Sequence, residues 1–248
     1  MKALRPNPKQ ETQPMPVIAT RSDMSAVRYH ADFHRSTALA ACVLAQLVVG
    51  VVLIASQGQG PKDLFDDLFA RTVAKRQSIQ SIRARFIETT TSTLLDKPLV
   101  SRGTVIAAPP GRVLMSYTEP ERRTIAIDGK SLVVAWLDRG ERETIDISQI
   151  QKRIDQYFAQ ASLAQLRSMF DIAAAADPAV RGADRVEMRP KRKQVKEGLD
   201  RLELWIDRES LLLVQMRMTF PGGDQKTVKL EDITVNVPIP DGTFRVNP

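Results

Sequence analysis

Cysteine and histidine are almost absent from this chain. Among its 248 residues there is one cysteine, Cys42, inside an apolar run, and both histidines, His30 and His34, precede that run. The sequence after the run therefore contains neither residue type. This excludes from it a disulfide framework, a zinc site with histidine or cysteine ligands, and a Ser-His-Asp or Cys-His nucleophile. Only carboxylate, lysine or tyrosine chemistry is left for an enzyme.

The sequence shows no convincing catalytic residues for such an enzyme. Glycosidase-type hydrolysis needs two carboxylates held close together in the site, and no such pair stands at a suitable spacing. Glu88 and Glu203 lie on predicted strands and are interpreted as outward-facing polar residues. We therefore expect no enzyme, no catalytic residue, no metal site and no cofactor.

Positive charge is in excess but unevenly placed. The net charge is +7, and residues 1–36 hold six basic and three acidic side chains. The mild excess elsewhere is a weak argument for a polyanionic partner. A basic turn is predicted at Pro190–Gly198, but it lacks the aromatic residues that stack on nucleic-acid bases. We expect no nucleic-acid partner, and contact of this turn with anionic lipid headgroups is the better hypothesis.

The N-terminal quarter differs in composition from the rest. Residues 1–36 are predicted to be a disordered, basic extension, and residues 37–56 contain no charged side chain. The latter segment is either a signal peptide or a membrane anchor, and its length leaves both possibilities open. The preceding basic residues place the following sequence outside the cytoplasm. A linker at 57–61 leads to one domain, 62–248, predicted to lie outside the cytoplasm, either free or tethered to the membrane by residues 37–56.

That domain is organised around the stretch 98–120. Its residues alternate between apolar and polar on both sides of a Pro-Pro-Gly turn at 109–111, which is typical of a β-hairpin. Further hairpins follow, with Asp128-Gly129 as one strong turn signal. We predict helices at 61–79 and 149–170, a loop or helix end at 171–182, and about ten strands. The predicted class is mainly β (α+β): a strongly curved antiparallel sheet, with helices against one face.

The helical segment 149–170 has two interpretations. Its apolar residues either seal the sheet as ordinary core or form a lid over a cavity that accepts an acyl chain. Many aliphatic and few aromatic side chains, the latter 5% of the chain, favour unfilled space inside such a sheet. Sequence gives no volume, so both interpretations stay open here.

The order of several motifs resembles the family of periplasmic outer-membrane lipoprotein carriers, LolA and its relatives. The motifs are ARFIETTT, RGTVIAAPPGRVLMSYTEP, TIAIDGKSLVVAW and MTFPGGDQKTVKLEDITVNVPIPDGTFRV, and the resemblance spans Asp63 to Phe244. It implies an incomplete β-barrel whose helices lid an apolar cavity. It also implies a carrier that takes acylated lipoproteins, or a related lipid or glycolipid, from an inner-membrane transporter to an outer-membrane acceptor.

The resemblance and the apolar pattern together give a set of candidate ligand-binding residues for the acyl cavity and lid. They are Phe86, Leu114, Tyr117, Ile127, Leu132, Val134, Trp136, Phe158, Leu166, Met169, Phe170, Met216 and Met218. Arg112, after the proline turn, is a possible headgroup or mouth contact, although a solvated loop arginine is the commoner role. The alternative function is a membrane-tethered envelope sensor, a regulatory lipid-binding domain of the same fold.

Overall fold

The computed structural model of this chain describes residues 63–109, 111–154 and 162–245. The predicted extension 1–36, the segment 37–56 and the linker 57–61 lie outside the described residues. Within the described ranges, no helix combines the length and the apolar character needed to cross a membrane.

The described residues form eleven strands and four helices. The helices are α1 Leu64–Gln77, α2 Ser148–Ile154, α3 Leu163–Met169 and α4 Lys193–Lys196. The strands are β1 Ile82–Thr91, β2 Leu99–Ala108, β3 Arg112–Glu119, β4 Arg123–Asp128, β5 Ser131–Trp136, β6 Glu141–Asp146, β7 Phe170–Ala176, β8 Ala183–Pro190, β9 Arg201–Asp207, β10 Leu213–Thr219 and β11 Gln225–Val235.

All eleven strands belong to one antiparallel sheet. Its order is β6-β5-β4-β3-β2-β1-β11-β10-β9-β8-β7, so every pairing except that of β1 with β11 joins strands that are neighbours in the sequence. The sheet does not close, because β6 and β7 stand at opposite edges. The predicted open, curved antiparallel sheet of about ten strands is confirmed.

The pairing of β1 with β11 joins the two ends of the domain. Ile82 lies opposite Val235, and the ladder runs to Thr91 opposite Gln225. Asn236 adopts a φ of 58°, a left-handed conformation that asparagine tolerates. From there its backbone N–H donates to the Ser81 carbonyl at 2.8 Å. These bonds secure the end of the ladder.

Alternation along the strands assigns their side chains to two faces. In β1, Ile82, Ala84 and Phe86 are buried, while the residues between them are exposed or half-buried. Because residues opposite each other on paired strands lie on the same face, the register extends this alternation across the sheet. It defines an inner face, which holds the core. Helices α1 and α3 pack against β7 and contribute Phe65, Leu68 and Leu166 to that core.

Gly103 marks a close approach on the inner face. A Cβ atom at this position would lie 2.8 Å from the Phe86 ring, and it would also overlap the Ser116 carbonyl oxygen. The space that glycine leaves is filled by Phe86, whose ring stands edge-on to Tyr117 at 4.8 Å between centroids. The sequence requires glycine here for packing, not for a turn.

Three predicted segments differ from the structure. Residues 170–176, expected at a helix end or in a loop, form the edge strand β7, so Phe170 is a strand residue. The predicted basic turn contains the short helix α4. The helical segment 149–170 consists of α2 and α3, with residues 155–161, including Phe158, outside the described residues.

Replacing Gly103 tests the close packing of the inner face. Gly103→Ala should lower the free energy of unfolding by about 1–3 kcal/mol, because the new methyl group overlaps backbone and forces Phe86 aside. Urea denaturation measures the change. Gly198→Ala is the matched control, since nothing lies within 4 Å of a Cβ there. Equal stability of the two variants would contradict the packing argument.

Candidate functional site

A mainly apolar cavity of about 100 Å³ lies between helices α1 and α3 and strands β8 to β10. Its polar lining residues are Thr72 and Arg76; the other lining residues are aliphatic, aromatic or methionine. The full lining is Phe65, Leu68, Phe69, Thr72, Arg76, Leu166, Val186, Met188, Leu204, Ile206, Leu211 and Leu213. Such a lining suits hydrocarbon better than a polar ligand.

Helix α1 supplies one wall of the cavity. Its lining residues follow helical spacing, which brings them to one side of the helix. Asp63 is the N-cap, and its carboxylate accepts a hydrogen bond of 2.9 Å from the Asp66 backbone N–H. Two polar side chains, Thr72 and Arg76, also belong to this wall. The Thr72 hydroxyl donates to the Leu68 carbonyl at 2.8 Å, and burial lowers the pKa of Arg76 to about 10, so its guanidinium stays charged at neutral pH.

Helix α3 supplies a second wall. It starts with a capping box, in which Ser162 and Gln165 satisfy each other's backbone N–H groups. Leu166, one helical turn after Ser162, is buried and lines the cavity. The cap therefore sets the start of the helix that places Leu166.

The two helices are joined by a group of ion pairs that we call the Arg167 latch, formed by Arg167 with Asp63 and Asp66. One guanidinium nitrogen of Arg167 lies 2.5 Å from an Asp63 carboxylate oxygen and 2.6 Å from one of Asp66. The guanidinium also lies over the Phe65 ring, 5.4 Å from its centroid. The latch thus spans the side of the cavity where α1 and α3 meet.

The pair that Arg167 forms with Asp63 stays charged over a wide pH range. The Asp66 backbone N–H and then the Arg167 side chain, both donating to the carboxylate, lower the pKa of Asp63. Hydrogen bonds to Asp66 and Asp63 raise the pKa of Arg167. A carboxylate with a lowered pKa keeps its contribution down to acidic pH and loses it only below its ordinary pKa. Mild acidification therefore leaves the Arg167–Asp63 pair intact.

The predicted residue set overlaps little with the residues that line this cavity. Of that set, Leu166 lines it. Ten others are buried in the core without lining it: Phe86, Tyr117, Ile127, Leu132, Val134, Trp136, Met169, Phe170, Met216 and Met218. Their role as ligand contacts stays a prediction, because ligand entry would have to displace core packing to reach them.

Two predicted residues lie in unexpected surroundings. Leu114 is half-buried and alternates with the buried residues Val113 and Met115, so it lies on the outer face and not in the interior. Arg112 is half-buried, donates to the Pro109 carbonyl at 3.1 Å, and lies 5.0 Å from the Phe244 ring centroid. Its contacts hold the end of the domain against the proline turn.

A second feature of the inner face is a buried polar cluster, formed by Glu88, Tyr117, Arg123 and Lys226. The ammonium of Lys226 lies 3.2 Å from one Glu88 carboxylate oxygen, and the Tyr117 hydroxyl donates to the other at 3.0 Å. Arg123 lies over the Tyr117 ring, 4.1 Å from its centroid. Glu88 is 2% exposed and Lys226 is fully buried.

Burial shapes the ionisation of this cluster. Desolvation, with the neighbouring Glu88 charge, raises the pKa of Tyr117 well above its ordinary value. Desolvation lowers the pKa of Lys226, and the Glu88 carboxylate opposes that shift. Tyr117 therefore remains a neutral hydrogen-bond donor. The Glu88 carboxylate offsets part of the desolvation cost of the Lys226 ammonium in the interior.

The interpretation of Glu88 as an outward-facing polar residue is wrong, whereas Glu203 does face outward. Glu88 shares the strand parity of Phe86, two residues earlier, and so faces inward; that parity was a readable signal. Glu203 lies on the outer face but is also 2% exposed. It is covered there by Arg185, whose guanidinium lies 3.2 Å from its carboxylate.

The cavity and the buried polar cluster are separate features. The buried carboxylate of Glu88 contacts Tyr117 and Lys226 and does not line the cavity. Within the described ranges, no group of three or more His, Cys, Asp or Glu side chains is placed to hold a metal ion. The apolar lining of the cavity suits an apolar ligand.

The buried polar cluster predicts a strongly coupled pair of substitutions. Glu88→Gln should lower the free energy of unfolding by about 3–5 kcal/mol, since it leaves buried cations without their carboxylate. Adding Lys226→Met should recover about 0.5–3 kcal/mol of that loss. Urea denaturation of the double-mutant cycle measures the coupling.

A surface carboxylate provides the control for this cycle. Glu119 pairs with Arg102 where both side chains are exposed, and Glu119→Gln should cost less than about 1 kcal/mol. If Glu88→Gln behaved like Glu119→Gln, or if the two buried substitutions were additive, the cluster would not be a coupled unit.

Comparisons with solved structures concern the fold alone. A LolA superfamily protein from Nitrosomonas europaea is 13% identical, with 71% of this chain and 97% of that one covered and a TM-score of 0.36. The Mycobacterium tuberculosis lipoprotein LppX is 13% identical, with coverages of 70% and 96% and a TM-score of 0.44. The Pseudomonas aeruginosa MucA/MucB complex gives 13% identity, coverages of 73% and 60%, and a TM-score of 0.42.

No curated protein matches the chain. The family model described as "Outer membrane lipoprotein carrier protein LolA" matches residues 77–247. This range contains all eleven described strands, α2 to α4 and all of the cavity wall formed by the sheet. Since the match covers well over half of the sequence, the chain belongs to the LolA family.

Proposed function

We propose that this protein is a carrier that binds the acyl chains of lipoproteins, or of a related lipid or glycolipid, in the cavity beneath α1 and α3. Membership of the LolA family supports the proposal. The observation that carries it is the apolar cavity itself, which lies between the sheet and two helices. Apolar burial supplies the affinity, at about 0.8 kcal/mol for each buried methylene.

The cavity must enlarge to accept such a ligand. Its volume of about 100 Å³ is below the roughly 300–1,000 Å³ of ordinary ligand pockets. Helix α1 shares no backbone ladder with the sheet, whereas α3 runs directly into β7 and the Met169 carbonyl accepts a hydrogen bond from the Lys191 backbone N–H. Helix α1 can therefore move away from α3 without breaking strand pairing. The structure therefore corresponds to a closed form, and loading requires these helices to separate.

The Arg167 latch sets the cost of that separation. Its ion pairs are partly exposed, and exposed pairs contribute roughly 0.2–1 kcal/mol each. A latch of this strength holds the closed form without opposing a ligand that buries many methylenes. Because the Arg167–Asp63 pair stays charged in mild acid, ligand binding and not pH would control its opening.

The carrier would move its cargo through the periplasm, from an inner-membrane transporter to an outer-membrane acceptor. The tethered-sensor hypothesis stays a prediction that depends on the fate of residues 37–56. Mass spectrometry of the N-terminus of protein from its own envelope separates the two, because an uncleaved segment favours the sensor.

A charge in the cavity wall tests the binding site. Leu166→Glu should weaken binding of a fluorescent fatty acid at least tenfold, because the carboxylate would be desolvated against hydrocarbon. Fluorescence titration of the purified protein gives the dissociation constant. Ala164→Glu adds the same charge to an exposed position of the same helix and should leave binding unchanged. Equal affinities for both variants would contradict a site at Leu166.

A weaker latch should speed ligand exchange. Arg167→Gln removes both ion pairs, so association and dissociation of the fluorescent fatty acid should each accelerate about two- to fivefold, as expected for loss of roughly 0.5–1 kcal/mol. Stopped-flow fluorescence measures both rates. Arg71→Gln is the control, since it removes an ion pair within α1. Unchanged rates in Arg167→Gln would show that the helices do not gate the cavity through this contact.

A further inference from the structure

The two edges of the sheet are protected very differently. Strand β6 exposes Glu141, Arg142, Glu143 and Asp146, and charged side chains discourage pairing with another strand. Strand β7 instead ends in four consecutive alanines, 173–176, and its pairing with β8 has neither a bulge nor a register shift. Ala173, Ala175 and Ala176 are exposed. No described strand lies beyond this edge.

The hydrogen-bonding groups of β7 alternate between its two sides. The Lys191 backbone N–H donates to the Met169 carbonyl at 2.8 Å, which makes this pair a hydrogen-bonded one. In an antiparallel ladder, hydrogen-bonded and non-hydrogen-bonded pairs alternate. Ile172, Ala174 and Ala176 therefore fall in non-hydrogen-bonded pairs with β8. Their N–H and C=O groups point outward, away from β8.

This edge adjoins the proposed acyl site. Ile172 lies opposite Met188, and Ala174 lies opposite Val186; both of these β8 residues line the cavity. The helices that form the other walls, α1 and α3, both pack on β7. A polypeptide that leaves the cavity on this side would emerge beside a row of free backbone donors and acceptors.

We propose that the free edge of β7 binds the extended polypeptide segment to which the bound acyl chain is attached, as an added strand. The inference rests on the proposed function. Backbone bonds to Ile172, Ala174 and Ala176 would hold this segment without regard to its sequence. The small methyl groups of the alanines leave room for varied side chains in the added strand. A carrier with this edge accepts many acylated proteins through their shared backbone.

The experiment compares three probes on the full chain by displacement of a fluorescent fatty acid. They are palmitate, an N-palmitoylated peptide of about eight serine, threonine and glutamine residues, and the same peptide with alternate backbone nitrogens methylated. The unmodified lipopeptide should bind at least fivefold more tightly than the methylated one. This arm needs no variant, so it does not depend on the folding of a mutant.

A second arm changes the edge itself. Ala174→Pro removes an outward N–H, and proline is tolerated where an edge strand's N–H faces solvent. It should abolish the advantage of the unmodified lipopeptide and leave palmitate binding unchanged. Ala174→Val keeps the N–H and should retain the advantage, which separates backbone pairing from side-chain effects.

The outcomes distinguish this inference from the proposed function. Palmitate binding without any difference between the two lipopeptides overturns the added strand but not the carrier. Failure of wild-type protein to bind palmitate overturns the carrier, and the added strand with it. If light scattering shows a dimer that Ala174→Pro dissociates and the lipopeptide does not, the edge binds a second copy and the inference is wrong.

Discussion

The arrangement of the other elements depends on the pairing of strand β11 with strand β1. Ile82 pairs with Val235, whereas every other pairing among the described strands joins neighbours in the sequence. Without this ladder the chain would consist of two separate meanders, β1–β6 and β7–β11. The ladder also sets the register that brings Lys226 of β11 to Glu88 of β1. The interior charge pair and the sheet thus depend on the same contact.

The two features of the inner face have opposite physical characters. The polar cluster is densely bonded and buried, and its charges tolerate little displacement, because a desolvated ion without its partner is costly. The cavity borders strands β8 to β10, and one of its walls is α1, which shares no backbone ladder with the strands. The centre of the sheet is therefore the more rigid part, and the side where α1 lies is the more adaptable one. The proposed carrier function would use both properties, since the scaffold would have to survive repeated loading.

Much of the fold was predictable from local signals. Period-two alternation and Asp-Gly or Pro-Gly turns identify the hairpins, because these patterns follow from local backbone chemistry. Strand β7 was missed because four alanines have no strand preference and favour helix; pairing with β8 decides their conformation. The inward orientation of Glu88 is predictable from its position two residues after Phe86 on the same strand, although its charge favours an outward position. Of the predicted cavity residues, Leu166 lines the described cavity; the other lining residues were not predictable, since unfilled volume is a property of packed side chains and leaves no mark in a one-dimensional pattern.

The pairing of the first strand with the last has a consequence for how the chain acquires its structure. Because β1 ends at Thr91 and β11 begins at Gln225, the centre of the sheet cannot form until the whole segment between them is available. Contacts between such distant segments carry a large loop-closure entropy and slow the folding step. The local hairpins on either side of this ladder can therefore form first, and the centre of the sheet would be the last part to become ordered.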